Sequence, residues 1–122
     1  MQNQRNEEYQ EIVEQIHKVR EYANVLEKHV DDLRAVSETL DKCSDLREGN
    51  EILVPLGSGL FCKAEIKSDK IILNVGAGVC VEKTFSEASE IVKKQLDEVS
   101  SVLTQVQTNL NYLLAKENEL RK

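Results

Sequence analysis

The sequence predicts a mainly α fold with a small β region: an antiparallel two-helix coiled coil whose connection carries two β-hairpins. Three observations predict it. Two apolar stripes at the ends of the chain mirror each other, the middle switches to a period of two around paired glycines, and the composition is too poor in aromatic residues for a compact core.

In the first stripe Tyr9, Ile12, Ile16, Val19, Ala23, Leu26, Val30, Leu33, Ser37 and Leu40 recur at alternating steps of three and four, the spacing of a coiled-coil seam. Read backward from the C-terminus, Leu120, Glu117, Leu113, Leu110, Val106, Leu103, Val99, Leu96, Val92 and Ser89 take the same steps in the same order. Each residue of one stripe thus meets a counterpart in the other, Tyr9 with Leu120, Ile12 with Glu117, Ile16 with Leu113, and so on to Leu40 with Ser89. Leu26 with Leu103 and Leu33 with Leu96 should be the best-packed layers. Ala23 with Val106 is thin, Ser37 with Val92 is half polar, and Glu117 puts a carboxylate on the seam. From Tyr9 to Leu40 the helix would run roughly 46 Å at about 1.5 Å per residue. A two-helix rod of that length buries one narrow stripe per helix and encloses no compact core. The competing explanation is that the stripes are faces of ordinary bundle helices.

Composition sets further bounds. Aromatics make up 4% of the 122 residues, Trp is absent and Pro occurs once, whereas 31% of residues are charged, as suits an extended helical protein better than a globular enzyme. A net charge of −6 and a pI near 5.0 disfavour nucleic acid as a partner, and no basic cluster points to a membrane surface. No apolar run approaches the length of a membrane span, and the Met-Gln-Asn-Gln-Arg start is polar rather than signal-like, so a soluble cytoplasmic protein is expected. Cys43, Cys62 and Cys80 have no metal-ligand spacing and read as small buried hydrophobes. His17 and His29 lie just off the seam. No metal, cofactor or catalytic grouping is expected, and the chain does not read as an enzyme.

The middle justifies the β elements. After an expected helix stop at Gly49-Asn50, Ile52–Leu56 and Leu60–Ile66 flank Gly57-Ser58-Gly59, and Ile71–Val75 and Val79–Lys83 flank Gly76-Ala77-Gly78. Along the second strand Leu60, Cys62, Ala64 and Ile66 share one face, opposite Phe61, Lys63 and Glu65. Lys67-Ser-Asp-Lys70 is a polar connection, and Thr84 with Glu87 forms a capping box that opens the second helix. A phosphate-binding loop is disfavoured, because each Gly-x-Gly leads into another strand rather than a helix. Pro55 places its strand at an edge or near an end. Four short strands with apolar faces cannot bury themselves in one chain and require partner strands.

These residues carry a family resemblance. The stretch from Glu51 to Ala88 resembles the double-hairpin region of alpha-class prefoldin subunits, above all in Leu53-Val-Pro-Leu-Gly57 with Gly59 and in Asn74-Val-Gly-Ala-Gly78 followed by Val81-Glu82-Lys83. The order helix, two hairpins, helix matches over nearly the whole chain, whereas beta-class subunits carry one hairpin. The resemblance implies an archaeal-style, ATP-independent holdase, a hexamer of two alpha-class and four beta-class subunits whose hairpins assemble into an oligomeric β-barrel. Coiled-coil tips would grip unfolded client polypeptides and deliver them to a group II chaperonin. Many relatives end in a longer polar tail than this chain, which stops at Lys122, so a compact tip is expected.

The division expected is one domain over 1-122: an N-terminal helix in 1-48, hairpins in 49-83 and a C-terminal helix in 84-122. The subunit interface is assigned to Ile52, Val54, Leu56, Leu60, Cys62, Ala64, Ile66, Ile71, Leu73, Val75, Val79 and Val81. The client-binding tip is assigned to Tyr9, Ile12, Val13, Ile16, Tyr112, Leu113, Leu114 and Leu120, with Val13, Tyr112 and Leu114 projecting off the seam. Two other readings stay open: a homo-oligomeric prefoldin-like filament, and a coiled-coil scaffold or adaptor.

Overall fold

The computed structural model describes residues 2–121. Its elements are α1 (Gln2–Cys43), β1 (Glu51–Gly57), β2 (Leu60–Glu65), β3 (Lys70–Gly76), β4 (Val79–Thr84) and α2 (Phe85–Arg121). The chain divides into two compact units, one of Met1–Arg34 with Gln95–Lys122 and the other of Ala35–Lys94.

Neither helix contains Gly or Pro, so nothing in the 42 residues of α1 or the 37 of α2 interrupts a backbone rich in Glu, Lys, Gln and Leu. Burial follows the expected seam. Between Gln2 and Leu40 the ten stripe residues, and no others, depart from full exposure. In α2 the ten counterparts are all buried or half-buried, joined by Phe85, Ala88, Ile91, Ser100 and Leu114.

In the first unit the helix segments pair antiparallel. Ile12, Ile16 and Leu113 form its core cluster, with Val19, Leu110, Leu114 and Leu120 packed against it. Arg5 donates to the Glu119 carbonyl at 3.4 Å and Gln107 donates to the Glu27 carboxylate at 3.4 Å, contacts that tie the two helix segments together. Leu26 and Leu33, where the best-packed layers were expected, are both buried, with Ala23 and Val30 buried beside them.

In the second unit Ser37, Ala88 and Val92 are buried, and Lys93 Nζ lies 3.8 Å from Asp41 Oδ1. The first helix ends at Cys43, earlier than the expected stop at Gly49-Asn50. Short polar groups end it. Ser44 donates from both its N–H and its hydroxyl to the Asp41 carbonyl, at 3.4 and 2.8 Å, the Leu46 N–H bonds the Cys43 carbonyl at 3.0 Å, and the Asn50 side chain accepts the Arg47 N–H at 2.8 Å. These local bonds compete with the helical ladder. Gly49, at φ +92°, supplies the left-handed step that turns the chain toward β1.

The sheets are two separate antiparallel pairs, β1 with β2 and β3 with β4. At the start of α2 the Glu87 N–H donates to the Thr84 hydroxyl at 3.1 Å, and the Thr84 N–H donates to the Glu87 carboxylate at 3.4 Å. This is the reciprocal capping box the sequence predicts. The Thr84 backbone bond, then the Thr84 hydroxyl, and more weakly Lys83 and Lys70, hold the Glu87 carboxyl below its ordinary value of 4.5.

Two outcomes follow from this packing. Cysteines introduced at Leu26 and Leu103, with the native thiols replaced, should crosslink readily on oxidation, and a pair at Leu26 and Leu110 should not; gel mobility after oxidation reads both. A folded-state value below the unfolded one means that the cap's charge-dependent contribution is full above the ordinary glutamate value and is lost as pH falls through the lowered one. Denaturant unfolding across that acid range should therefore show a smaller pH dependence for Glu87→Gln than for the native chain, while Thr84→Ala should cost about 1 kcal/mol.

Candidate assembly and client surfaces

The hairpins are built alike. In the first, Ser58-Gly59 forms a two-residue turn in which both residues have positive φ, 51° and 77°, and in the second Ala77-Gly78 does the same at 52° and 75°. Two such residues make the turn whose twist matches antiparallel strands. Gly57 and Gly76 precede them at φ 111° and 114°, where a Cβ would meet open space, so backbone conformation rather than crowding requires glycine. The registers match as well. Pro55 faces Phe61 and Gly57 faces Leu60, leaving Leu56 as an extra residue; Asn74 faces Cys80 and Gly76 faces Val79, leaving Val75. Ile66 extends the first ladder, donating to the Asn50 carbonyl and accepting from the Gly49 N–H, both at 2.8 Å.

The interface residues expected from sequence divide into two groups. Ile52, Ala64, Ile66, Ile71, Leu73 and Val81 are half-buried, whereas Val54, Leu56, Leu60, Cys62, Val75 and Val79 are exposed. Three further apolar side chains were missed: Leu53, Phe61 and Ile72 are 63%, 60% and 70% exposed, and they lie on the opposite face from Val54 and Leu73. The signal was present in the runs Ile52-Leu-Val54 and Ile71-Ile-Leu73, which are apolar at every position, the pattern of a strand meant for burial on both faces. Cys62 and Cys80 correct the expectation of buried thiols. Both are exposed, because the hairpin faces that carry them are open in the single chain, and Cys43 is half-buried.

At the tip the structure brings the assigned residues together but conceals most of them. Ile12, Ile16 and Leu113 are buried, Tyr9, Leu114 and Leu120 are half-buried, and only Val13, at 42%, and Tyr112, at 62%, are exposed. Leu114 was expected to project off the seam; it packs instead against the core cluster and is half-buried. Glu117 keeps its seam position with its side chain 18% exposed, accepting a hydrogen bond from the Tyr9 hydroxyl at 3.5 Å and lying 3.6 Å from Arg121. The Tyr9 side chain, and after it the Glu117 carboxylate, raise the exposed Arg121 guanidinium above its ordinary value.

His17 pairs with Glu21 at 3.0 Å on the surface of α1. Among the described residues no group of His, Cys, Asp and Glu could hold a metal ion, and no helix is long and apolar enough to cross a membrane.

Two long helices thus flank two hairpins with exposed apolar faces. The prefoldin subunit family model matches residues 6–122. The chain is 34% identical over 82 residues to prefoldin subunit alpha of Thermofilum pendens, covering 66% of this chain and 64% of the relative, and 33% identical over 87 residues to that of Methanopyrus kandleri, covering 70% and 55%. It thus spans less than two thirds of the length of these curated relatives. With prefoldin subunit alpha of Methanococcus vannielii it shares 32% identity over 114 residues, covering 89% and 76%. A filamentous PFD from Methanocaldococcus jannaschii, solved by cryo-EM, superposes with a TM-score of 0.74 at 25% identity, covering 94% of this chain and 96% of that one. The chain belongs to the prefoldin subunit family. Its two hairpins and its relatives make it a member of the alpha class.

If the hairpins carry the subunit contacts, Val54→Asp or Leu73→Asp should dissociate the complex while leaving the helix content nearly unchanged. Light scattering and far-ultraviolet circular dichroism on the same samples read the two effects separately.

Proposed function

We propose that this chain is a subunit of an ATP-independent holdase chaperone. Its hairpins join beta-class subunits, in a hexamer of two alpha and four beta chains, and its coiled-coil tip takes part in capturing unfolded polypeptides for delivery to a group II chaperonin. It works in the cytoplasm, without cofactor and without a reaction of its own. Neither nucleic acid nor membrane is among its partners.

The observation that carries this reading is the apolar surface left open on both hairpins, where Leu53, Phe61 and Ile72 are exposed on one face and Val54 on the other. A chain with unpaired strand edges and two-sided apolar hairpins acquires partners, and partners multiply tips. A single tip offers little. Val13 and Tyr112 present modest apolar area, so capture draws on the buried Ile12, Ile16 and Leu113 as the helix ends fray, and several weak tips acting together supply the avidity.

A homo-oligomeric filament is the second reading, favoured by the likeness to the filamentous PFD of Methanocaldococcus jannaschii. Light scattering on this chain alone separates the two, because a filament grows without beta-class subunits.

The client surface is tested with Val13→Ser and Tyr112→Ser together, both exposed and both off the seam. The assembled complex carrying them should keep its unfolding midpoint but suppress aggregation of a denatured test protein less well, equally with and without ATP. Undiminished capture would move the work to the partner subunits, and dependence on ATP would contradict the holdase reading.

A further inference from the structure

Glu117 is the one charged residue among the twenty seam positions of the two helices. Its counterpart is Ile12, 7% exposed, while its own side chain is 18% exposed. Two surface depressions reach the seam at this layer, one lined by Glu11, Ile12, Gln15 and Lys116, the other by Val13, Ile16, Arg20 and Glu117. By helical spacing Glu11 and Gln15 fall on one flank of the α1 stripe, and Val13 and Arg20 on the other. The layer that carries the charge is therefore open from both flanks.

The contacts outward of this layer are weak. Tyr9 and Leu120, the next pair, are half-buried. The polar contacts that hold them are long: 3.5 Å from the Tyr9 hydroxyl to Glu117, 3.6 Å from Glu117 to Arg121, and 3.4 Å from Arg5 to the Glu119 carbonyl. Contacts of that length at a solvated surface contribute little. Parting the layer is also easier than parting an apolar one. Separating Ile16 from Leu113 exposes two apolar side chains, whereas separating Ile12 from Glu117 exposes one and returns a carboxylate to water. Inward of Glu117 the seam is firm again, since Ile16 and Leu113 belong to the core cluster with Val19 and Leu110 packed against it.

We propose that Glu117 sets how far the tip opens: the helices part as far as the Ile16–Leu113 layer, and the parted state presents Tyr9, Ile12 and Leu120 to a client. The inference rests on the reading of the tip as a client surface and names the residue that makes the hidden part of that surface available. With an apolar residue in place of Glu117 the layer would close, and the tip would offer little beyond Val13 and Tyr112.

The test is Glu117→Leu in the assembled complex, with Glu117→Gln beside it. Glu117→Leu should slow amide exchange over residues 5–13 and 113–121 about tenfold and cut capture of a denatured test protein about threefold. Glu117→Gln keeps a polar group on the seam and should leave both readings near native. Unchanged exchange in Glu117→Leu, or full capture by a tip whose exchange has slowed, would overturn the role of Glu117. A second variant closes the tip covalently: cysteines introduced at Tyr9 and Leu120, with the native thiols replaced, should lose capture on oxidation and regain it on reduction. Full capture by the oxidised tip would overturn the inference too. Val13→Ser with Tyr112→Ser keeps the two readings apart. If that pair lowers capture while Glu117→Leu and the oxidised tip do not, the tip still holds clients and only the opening fails. If none of the three lowers capture, the client surface lies on other subunits and both readings fail.

Discussion

One stripe per helix is all the apolar surface that a two-helix pair can hide, and the rest of the structure depends on that limit. Every described residue on the stripe is buried or half-buried, and many apolar residues off it stay exposed, among them Tyr22, Val25, Val36 and Val102 along the helices and Leu53, Phe61 and Ile72 on the hairpins. A globular domain would fold such groups inward. Within one chain these groups have no second layer to cover them.

The seam was legible because its signal is redundant. Ten positions in one helix and ten in the other each report the same register, and one polar residue such as Ser37 or Glu117 does not erase a period set by the other nine. The turns were legible for a different reason, since only glycine adopts the left-handed conformation freely and it appears twice in each hairpin at the same places. The end of α1 was not legible. Ser44, Arg47 and Asn50 end the helix through side-chain bonds that leave no periodic trace, and Gly49 drew attention to a later position than the one where the ladder breaks.

The candidate surfaces were legible only in part. The apolar character of the hairpins could be read from their runs, but which faces would be exposed could not, because alternation is the signal for facing and both runs lack it at Leu53 and Ile72. At the tip the sequence separates seam from flank but does not say how far a flank residue folds over its neighbours. Leu114 and Val13 both sit beside the seam, yet the first is half-buried and the second exposed. Glu117 shows what a polar seam residue requires: its position is tolerated because Tyr9 and Arg121 stand within reach of its carboxylate.

The separation of the four strands into two isolated pairs also bears on mass action. A two-stranded hairpin alone is marginally stable in water, so on the assembly proposed above its ordering would be completed by the docked partner, and its share of the stability would rise with that partner's concentration. The helix seam closes within one chain and owes nothing to concentration. Dilution would therefore loosen the strands while the coiled coil persists, and a single melting temperature would describe neither part.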